Sequence, residues 1–188
     1  MPFVLVVVGT SLGGLSALRI MLQALPGDFK AAIAIVQHRD RSSGKSLSQT
    51  LQQESRLPIL DVEDKEPIRP GCVYLAPADY HLLVEPGRFS LSVDPPVSFA
   101  RPSIDVLFES AGEVYQSSTI GIVLTGANQD GAEGLAKIKA KGGYTIVQDP
   151  RTAECASMPE AAISKSVVDR ILPLQRISPL LVKLCSPC

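Results

Sequence analysis

Three residues have the types that acyl transfer through a serine requires: Ser11, His38 and Asp130. Ser11 lies in Gly9-Thr10-Ser11-Leu12-Gly13-Gly14, directly after an apolar β-branched run. Gly-x-Ser-x-Gly at a strand-to-helix turn is the nucleophile-elbow pattern, in which a sharp turn presents Oγ at a helix N-terminus. The competing reading is a glycine-rich phosphate loop, whose backbone N–H groups hold an anion. No Lys-Ser/Thr pair follows, and the spacing is not G-x-G-x-x-G, so the pattern favours the nucleophile. His38 closes Val36-Gln37-His38, where a dinucleotide site would call for an acidic residue. A base belongs there if Ser11 is a nucleophile; a satisfied structural histidine is the alternative. Asp130 stands in Thr125-Gly126-Ala127-Asn128-Gln129-Asp130-Gly131. It has the type that orients a base, or that caps the helix following it. His81, at the start of a predicted strand, reads as structural.

The elements that must position these residues follow from hydrophobic periodicity. Phe3–Val8 and Ala32–Val36 are short apolar runs, as in strands buried on both faces. Between them Leu15, Leu18, Leu22 and Leu25 fall at helical spacing, and Pro26-Gly27 stops that helix. Ser46–Glu54 predicts a second helix. Eight of the 15 prolines fall between Pro58 and Pro102. Cys72–Leu75, His81–Glu85 and Phe89–Val93 predict short strands there, the last two around the turn Pro86-Gly87-Arg88. This stretch reads as an antiparallel insertion, too short for a core of its own. Beyond it, Ser103 can cap a helix with the apolar face Ile104, Leu107, Phe108, Ala111 and Tyr115. Strands at Thr119–Leu124, Tyr144–Val147 and Val167–Ile171 alternate with helices at Gly131–Ala140 and Met158–Ile163. Ser178-Pro179 has the order of a helix N-cap and first position. The fold class is therefore α/β: a doubly wound, mainly parallel sheet with a short antiparallel hairpin, in a single domain over 1–188. In such a sheet ligands bind outside the carboxyl ends of strands, where Ser11, His38 and Asp130 all emerge.

Composition excludes several function classes. Eighteen basic and 19 acidic residues give a net charge of -1, without the basic footprint of a nucleic-acid or membrane-surface binder. Phe3–Val8 is too short to span a bilayer and lacks the flanks of a secretory signal. Cys72 and Cys155 read as free buried thiols, and Cys185-Ser186-Pro187-Cys188 as tail residues rather than a redox or zinc pair. Reduced thiols suit a cytoplasmic protein. No metal or cofactor is called for.

Several motifs then carry a resemblance. They are Gly9-Thr10-Ser11-x-Gly13-Gly14, Val36-Gln37-His38, Tyr74-Leu75-Ala76-Pro77-Ala78-Asp79-Tyr80-His81, Arg101-Pro102-Ser103-Ile104-Asp105-Val106-Leu107-Phe108, Leu124-Thr125-Gly126 with Asp130-Gly131-Ala132, and Gln148-Asp149-Pro150 followed by Met158-Pro159. Together, from Phe3 to about Leu184, the chain resembles the catalytic domain of CheB, the chemotaxis protein-glutamate methylesterase. The resemblance implies a triad of Ser11, His38 and Asp130. It implies hydrolysis of γ-glutamyl methyl esters on the cytoplasmic helices of chemoreceptors, with glutamine deamidation as a second activity. It implies an acyl-enzyme, with an oxyanion or substrate loop around Leu12, Ala127 and Asn128. Leu12, Arg39-Asp40 and Ala127-Asn128 depart from the family's usual residues. A positive φ at Asn128 would distort that loop. Family members commonly carry a receiver domain ahead of the catalytic domain; with a first strand at Phe3, the expectation is an effector domain standing alone. Two other readings stand beside an active methylesterase: a catalytically weak or inactive receptor-binding module, and an esterase or amidase for another substrate.

Overall fold

The computed structural model describes residues 5–38 and 47–186. Seven strands form one wholly parallel sheet: β1 (Leu5–Thr10), β2 (Ala32–Gln37), β3 (Ile59–Asp61), β4 (Val73–Leu75), β7 (Thr119–Val123), β8 (Tyr144–Gln148) and β9 (Arg170–Leu172). Their order is β3-β4-β2-β1-β7-β8-β9. The hairpin β5 (His81–Glu85) and β6 (Arg88–Ser92) is a separate antiparallel pair. Its turn has Pro86 followed by Gly87 at φ +76°, the conformation a type II turn demands at its third residue.

The central strands alternate between two cores. Val6 and Val8 of β1, with Ile33 and Ile35 of β2, face one side of the sheet. There they pack on α1 (Gly14–Gln23), α2 (Leu47–Gln52) and α6 (Leu174–Cys185). Leu5 and Val7, with Ala32, Ala34 and Val36, face the other side. There they meet the hairpin, α3 (Ile104–Tyr115), α4 (Ala132–Ala140) and α5 (Ser157–Lys165). From β1 the chain winds through α1 on one face toward β2. From β7 it winds through α4 on the opposite face toward β8. The loops leaving β1 and β7 therefore diverge, which opens a crevice at their carboxyl ends.

Several sequence expectations change. Cys72–Leu75 belongs to the insertion by composition, yet Val73–Leu75 pairs in parallel with β2 and with β3, a strand the pattern missed. Among the described strands the hairpin is the antiparallel pair, and it lies on α3, where Tyr115 Oη accepts from the Gly87 N–H and Ser110 Oγ from the Val84 N–H. The last helix starts at Leu174, so Pro179 lies inside it and Ser178 is no N-cap. Ser178 Oγ instead donates to the Met21 carbonyl, tying α6 to α1. Cys185 is a buried core residue of α6 and no tail residue, its thiol pushed up to about 11 by burial, whereas Cys72 and Cys155 are only half-buried. Within α1 the buried stripe is Ala17, Leu18, Met21 and Leu22; Leu15 points outward. Phe3, Ser46, Arg39, Asp40, Pro187 and Cys188 lie outside the described residues. Among the described residues no helix is long and apolar enough to cross a membrane.

Candidate active site

Ser11 follows β1 by one residue, and Gly13 at φ +78° turns the chain into α1. The turn is clamped on both sides. The Ser11 N–H donates to the Thr125 carbonyl at 3.0 Å, and Thr10 Oγ1 donates to the same oxygen at 2.7 Å. Gln37 Nε2 donates to the Ser11 carbonyl at 2.9 Å, and Thr125 Oγ1 donates to the Leu12 carbonyl at 2.9 Å. Such bonds fix the backbone, so that the Ser11 side chain is placed by the sheet itself. Gly126 lets the β7 loop approach this closely. A Cβ there would lie 1.9 Å from Met158 Sδ and 3.0 Å from Ser11 Cβ.

His38 emerges from β2, its N–H bonded to the Thr10 carbonyl at 3.1 Å. Its Nε2 lies 2.8 Å from Asp130 Oδ2, and the carboxylate is fully buried. Its Nδ1 lies 2.9 Å from Asn128 Nδ2. Among the described residues, Ser11 Oγ makes no hydrogen bond to either ring nitrogen. Ser11 and His38 instead line one cleft of about 780 Å³, walled by Ala78, Ser98–Pro102 and Asn128. Phe99 stands fully exposed at its rim. Ser98 and Phe99 hold φ of +48° and +65° in the turn that carries it.

Asp130 is where the sequence reading needs its main correction. It does not cap the helix that follows it. Oδ1 accepts from Ser103 Oγ at 2.9 Å and from the Asp105 N–H at 2.9 Å, and Oδ2 accepts from the Ile104 N–H at 2.7 Å. Asp130 thus sits on the N-terminus of α3, where unpaired N–H groups and the helix dipole favour an anion. The helix after Asp130 is served by Asp105, whose Oδ1 accepts from the N–H groups of Gly131 and Gly134 at 3.0 and 2.6 Å. Each aspartate caps the other's helix. The cause is tertiary: Gly131 and Gly134 bring α4 against α3 so closely that a Cβ on Gly134 would lie 2.6 Å from Phe108 Cβ.

The two carboxylates respond differently to one environment. Burial alone would raise Asp130; the His38 hydrogen bond and the N–H groups of Asp105 and Ile104 together outweigh it and hold the carboxyl below its ordinary value. Asp105 is pushed up to about 6, first by burial and then by the charge of Asp130, with the Gly134 N–H opposing. Asp130, the member of the pair facing His38, therefore gives up its proton at lower pH than Asp105 does.

The remaining expected residues sort clearly. The N–H groups of Leu12 and Ala127 donate to no group among the described residues; Leu12 follows Ser11 in the chain, and Ala127 follows Gly126, where a Cβ would lie 3.0 Å from Ser11 Cβ. Asn128 does not have positive φ, so the expected distortion of its loop is absent. His81 is fully buried, accepting from the Ser103 N–H at 3.2 Å on Nδ1, with Nε2 3.0 Å from the Pro95 carbonyl oxygen. Both bonds serve the turn that leads into α3. Gln37, Thr125, Ser103 and Asp105 carry site geometry that residue type alone did not single out. All four lie inside the quoted motifs, and Ser103 is also the expected cap of its helix. Among the described residues no group of three or more His, Cys, Asp or Glu converges as a metal site would need.

Comparison with known proteins agrees with this architecture. Residues 6–181 match the family model described as CheB methylesterase. The chain is 47% identical over 185 residues to a Leptospira interrogans protein named as a candidate protein-glutamate methylesterase/protein-glutamine glutaminase, covering 98% of this chain and 96% of that one. It is 39% identical over 188 residues to the protein-glutamate methylesterase FrzG of Myxococcus xanthus, covering all of this chain and 56% of FrzG. The crystal structure of the Thermotoga maritima CheB methylesterase catalytic domain superposes with a TM-score of 0.93 at 36% identity, covering 98% of this chain and 100% of that one. Those matches span the parallel sheet, the hairpin and all three strand-end loops. The chain belongs to the CheB methylesterase family of protein-glutamate hydrolases, with the fold of that family's catalytic domain.

Proposed function

We propose that the chain hydrolyses γ-glutamyl methyl esters on the cytoplasmic helices of methyl-accepting chemoreceptors, with Ser11 as nucleophile, His38 as base and Asp130 as orienter. The observation that carries this reading is the placement of His38. One ring nitrogen is held by a buried, ionised aspartate and the other faces the cleft that Ser11 lines.

Asp130 accepts the Nε2 proton, which leaves Nδ1 as the basic nitrogen. Ser11 Oγ attacks the ester carbonyl while Nδ1 takes its proton. The resulting oxyanion lies near the unengaged N–H groups of Leu12 and Ala127. One such donor is typically worth about 3 kcal/mol in the barrier. The imidazolium returns its proton to the methoxide oxygen, and methanol leaves. Water, deprotonated by His38, then opens the acyl-enzyme to free glutamate and regenerates Ser11. A γ-carboxamide would pass through the same acyl-enzyme with ammonia as leaving group, which accounts for glutamine deamidation as a second activity. Nothing in this chemistry calls for a metal or cofactor, and a receptor tail as substrate places the reaction in the cytoplasm.

The test is Ser11→Ala with methylated receptor as substrate. Methanol release should fall by roughly 10³-fold or more, since a triad works as a unit. A Ser11→Ala protein that releases methanol at the wild-type rate refutes the assignment.

A further inference from the structure

Asn128 occupies the nitrogen that the proposed mechanism needs. Which end of its amide faces His38 follows from its other partner. Oδ1 accepts from the Asp130 N–H at 3.0 Å, closing a turn over two residues. The group 2.9 Å from His38 Nδ1 is therefore the NH₂, which only donates. That requires a bare lone pair on Nδ1 and puts the ring proton on Nε2, against Asp130 Oδ2 at 2.8 Å. Both contacts thus favour the tautomer that a base for Ser11 must have.

The same contact obstructs the next step. Neutral imidazole offers one in-plane lone pair, and Ser11 O–H must reach it. When the Ser11 proton moves to Nδ1, the ring carries a proton on each nitrogen. An Asn128 N–H left in place would then point at an N–H. We propose that Asn128 is a positioning residue that selects the reactive tautomer of His38 and competes with Ser11 for its basic nitrogen, so that acylation requires the amide to rotate away. This rests on the reading of Ser11 and His38 as nucleophile and base. The half-buried Asn128 lines the cleft beside both residues, so a seated substrate meets the amide directly.

Two variants keep the turn to the Asp130 N–H and change only what faces the ring. Asn128→Ser retains an acceptor for that N–H but is too short to reach Nδ1. Asn128→Asp retains the acceptor and replaces the donor by a carboxylate, which calls for a proton on Nδ1. Labelling of Ser11 by a fluorophosphonate, followed by intact mass, reads the nucleophile without any receptor. The ring ¹⁵N signals of His38 read which nitrogens carry protons. Relative to wild type, Asn128→Ser should label about two- to tenfold faster, the value of one neutral hydrogen bond expressed as a rate. Asn128→Asp should lose labelling and show both ring nitrogens protonated near neutral pH. In the wild type, Nδ1 should appear as a hydrogen-bonded acceptor, and in Asn128→Ser that bond should be gone. An Asn128→Ser protein labelled at the wild-type rate or more slowly overturns the competition while leaving Ser11 as nucleophile; slower labelling would mean that the amide assists the reaction. No labelling in any of the three proteins sinks the hydrolase reading itself, and the competition with it.

Discussion

Replacing Asp130 by Asn tests fold and site in one change. The carboxylate accepts four hydrogen bonds: His38 Nε2 and the Ile104 N–H on Oδ2, Ser103 Oγ and the Asp105 N–H on Oδ1. An amide has one acceptor atom, so its NH₂ must face two of these donors. Turned toward Oδ2's partners, it meets the Ile104 N–H and forces the His38 proton onto Nδ1, where the Asn128 amide N–H already points. Turned toward Oδ1's partners, it meets the Ser103 hydroxyl, which can rotate and accept, and the Asp105 N–H, which cannot. The second arrangement is the better one. It leaves one buried backbone donor unpaired, costing about 1–3 kcal/mol, and weakens the other bonds by removing their charge. Loss of the anion also removes its favourable interaction with the α3 N-terminus, about 0.3–1 kcal/mol or more when buried. Relief of the Asp105–Asp130 repulsion offsets part of this. The net destabilisation is about 2–4 kcal/mol, or a fall in Tm of roughly 5–15 °C for a domain of this size. Methanol release should fall further than stability explains, by ~10²–10⁴-fold, because the imidazolium loses its counter-charge. Urea unfolding followed by circular dichroism, with a methanol assay at a temperature where both proteins are folded, separates the two effects. An Asp130→Asn protein with wild-type urea midpoint and activity within tenfold of wild type would refute the shared-cap reasoning.

Two further outcomes follow from the same geometry. Asp105 has its folded pKa raised to about 6, above its unfolded value, so the native state binds the extra proton between about pH 4 and 6 and this residue's contribution to stability falls as pH rises through that window. Asp105→Asn, which can keep its amide oxygen on the Gly131 and Gly134 N–H groups, should flatten that part of the profile; urea midpoints from pH 4 to 7 that change equally in both proteins would contradict it. Gly126→Ala puts a methyl into Met158 and Ser11, so it should cost about 1–3 kcal/mol of stability and displace the nucleophile. Thermal melts and phosphonate labelling check this, and a Gly126→Ala protein that labels normally would show that the loop can retreat.

The linear order of residues settled a great deal here. Buried β-branched runs alternating with helical periods admit little besides a parallel sheet, because a strand that is apolar on both faces needs helices on both. Val6 and Val8 on one side of β1, Leu5 and Val7 on the other, bear that out. Strand ends then pointed to Ser11 and His38, since a parallel sheet collects its carboxyl ends at one edge. Local pattern failed where the partner was distant. Val73–Leu75 looked like part of a proline-rich insertion, and only pairing with β2 and β3 makes it a sheet strand. Pro179 signalled a helix start, yet packing of α6 on α1 holds the helix straight through it. The aspartates show the limit most clearly. Asp130 precedes a helix, so sequence offers it as the cap of that helix, while Asp105 stands in the first turn of another that Ser103 caps. The close approach of α3 and α4 exchanges them, because a carboxylate binds whichever unpaired N–H groups lie in front of it, whatever their distance along the chain. The same holds for Asn128. Its type and loop were visible in the sequence, but that its amide faces the proposed base depends on the fold bringing β2 and β7 to opposite sides of β1 and closing both loops over one cleft.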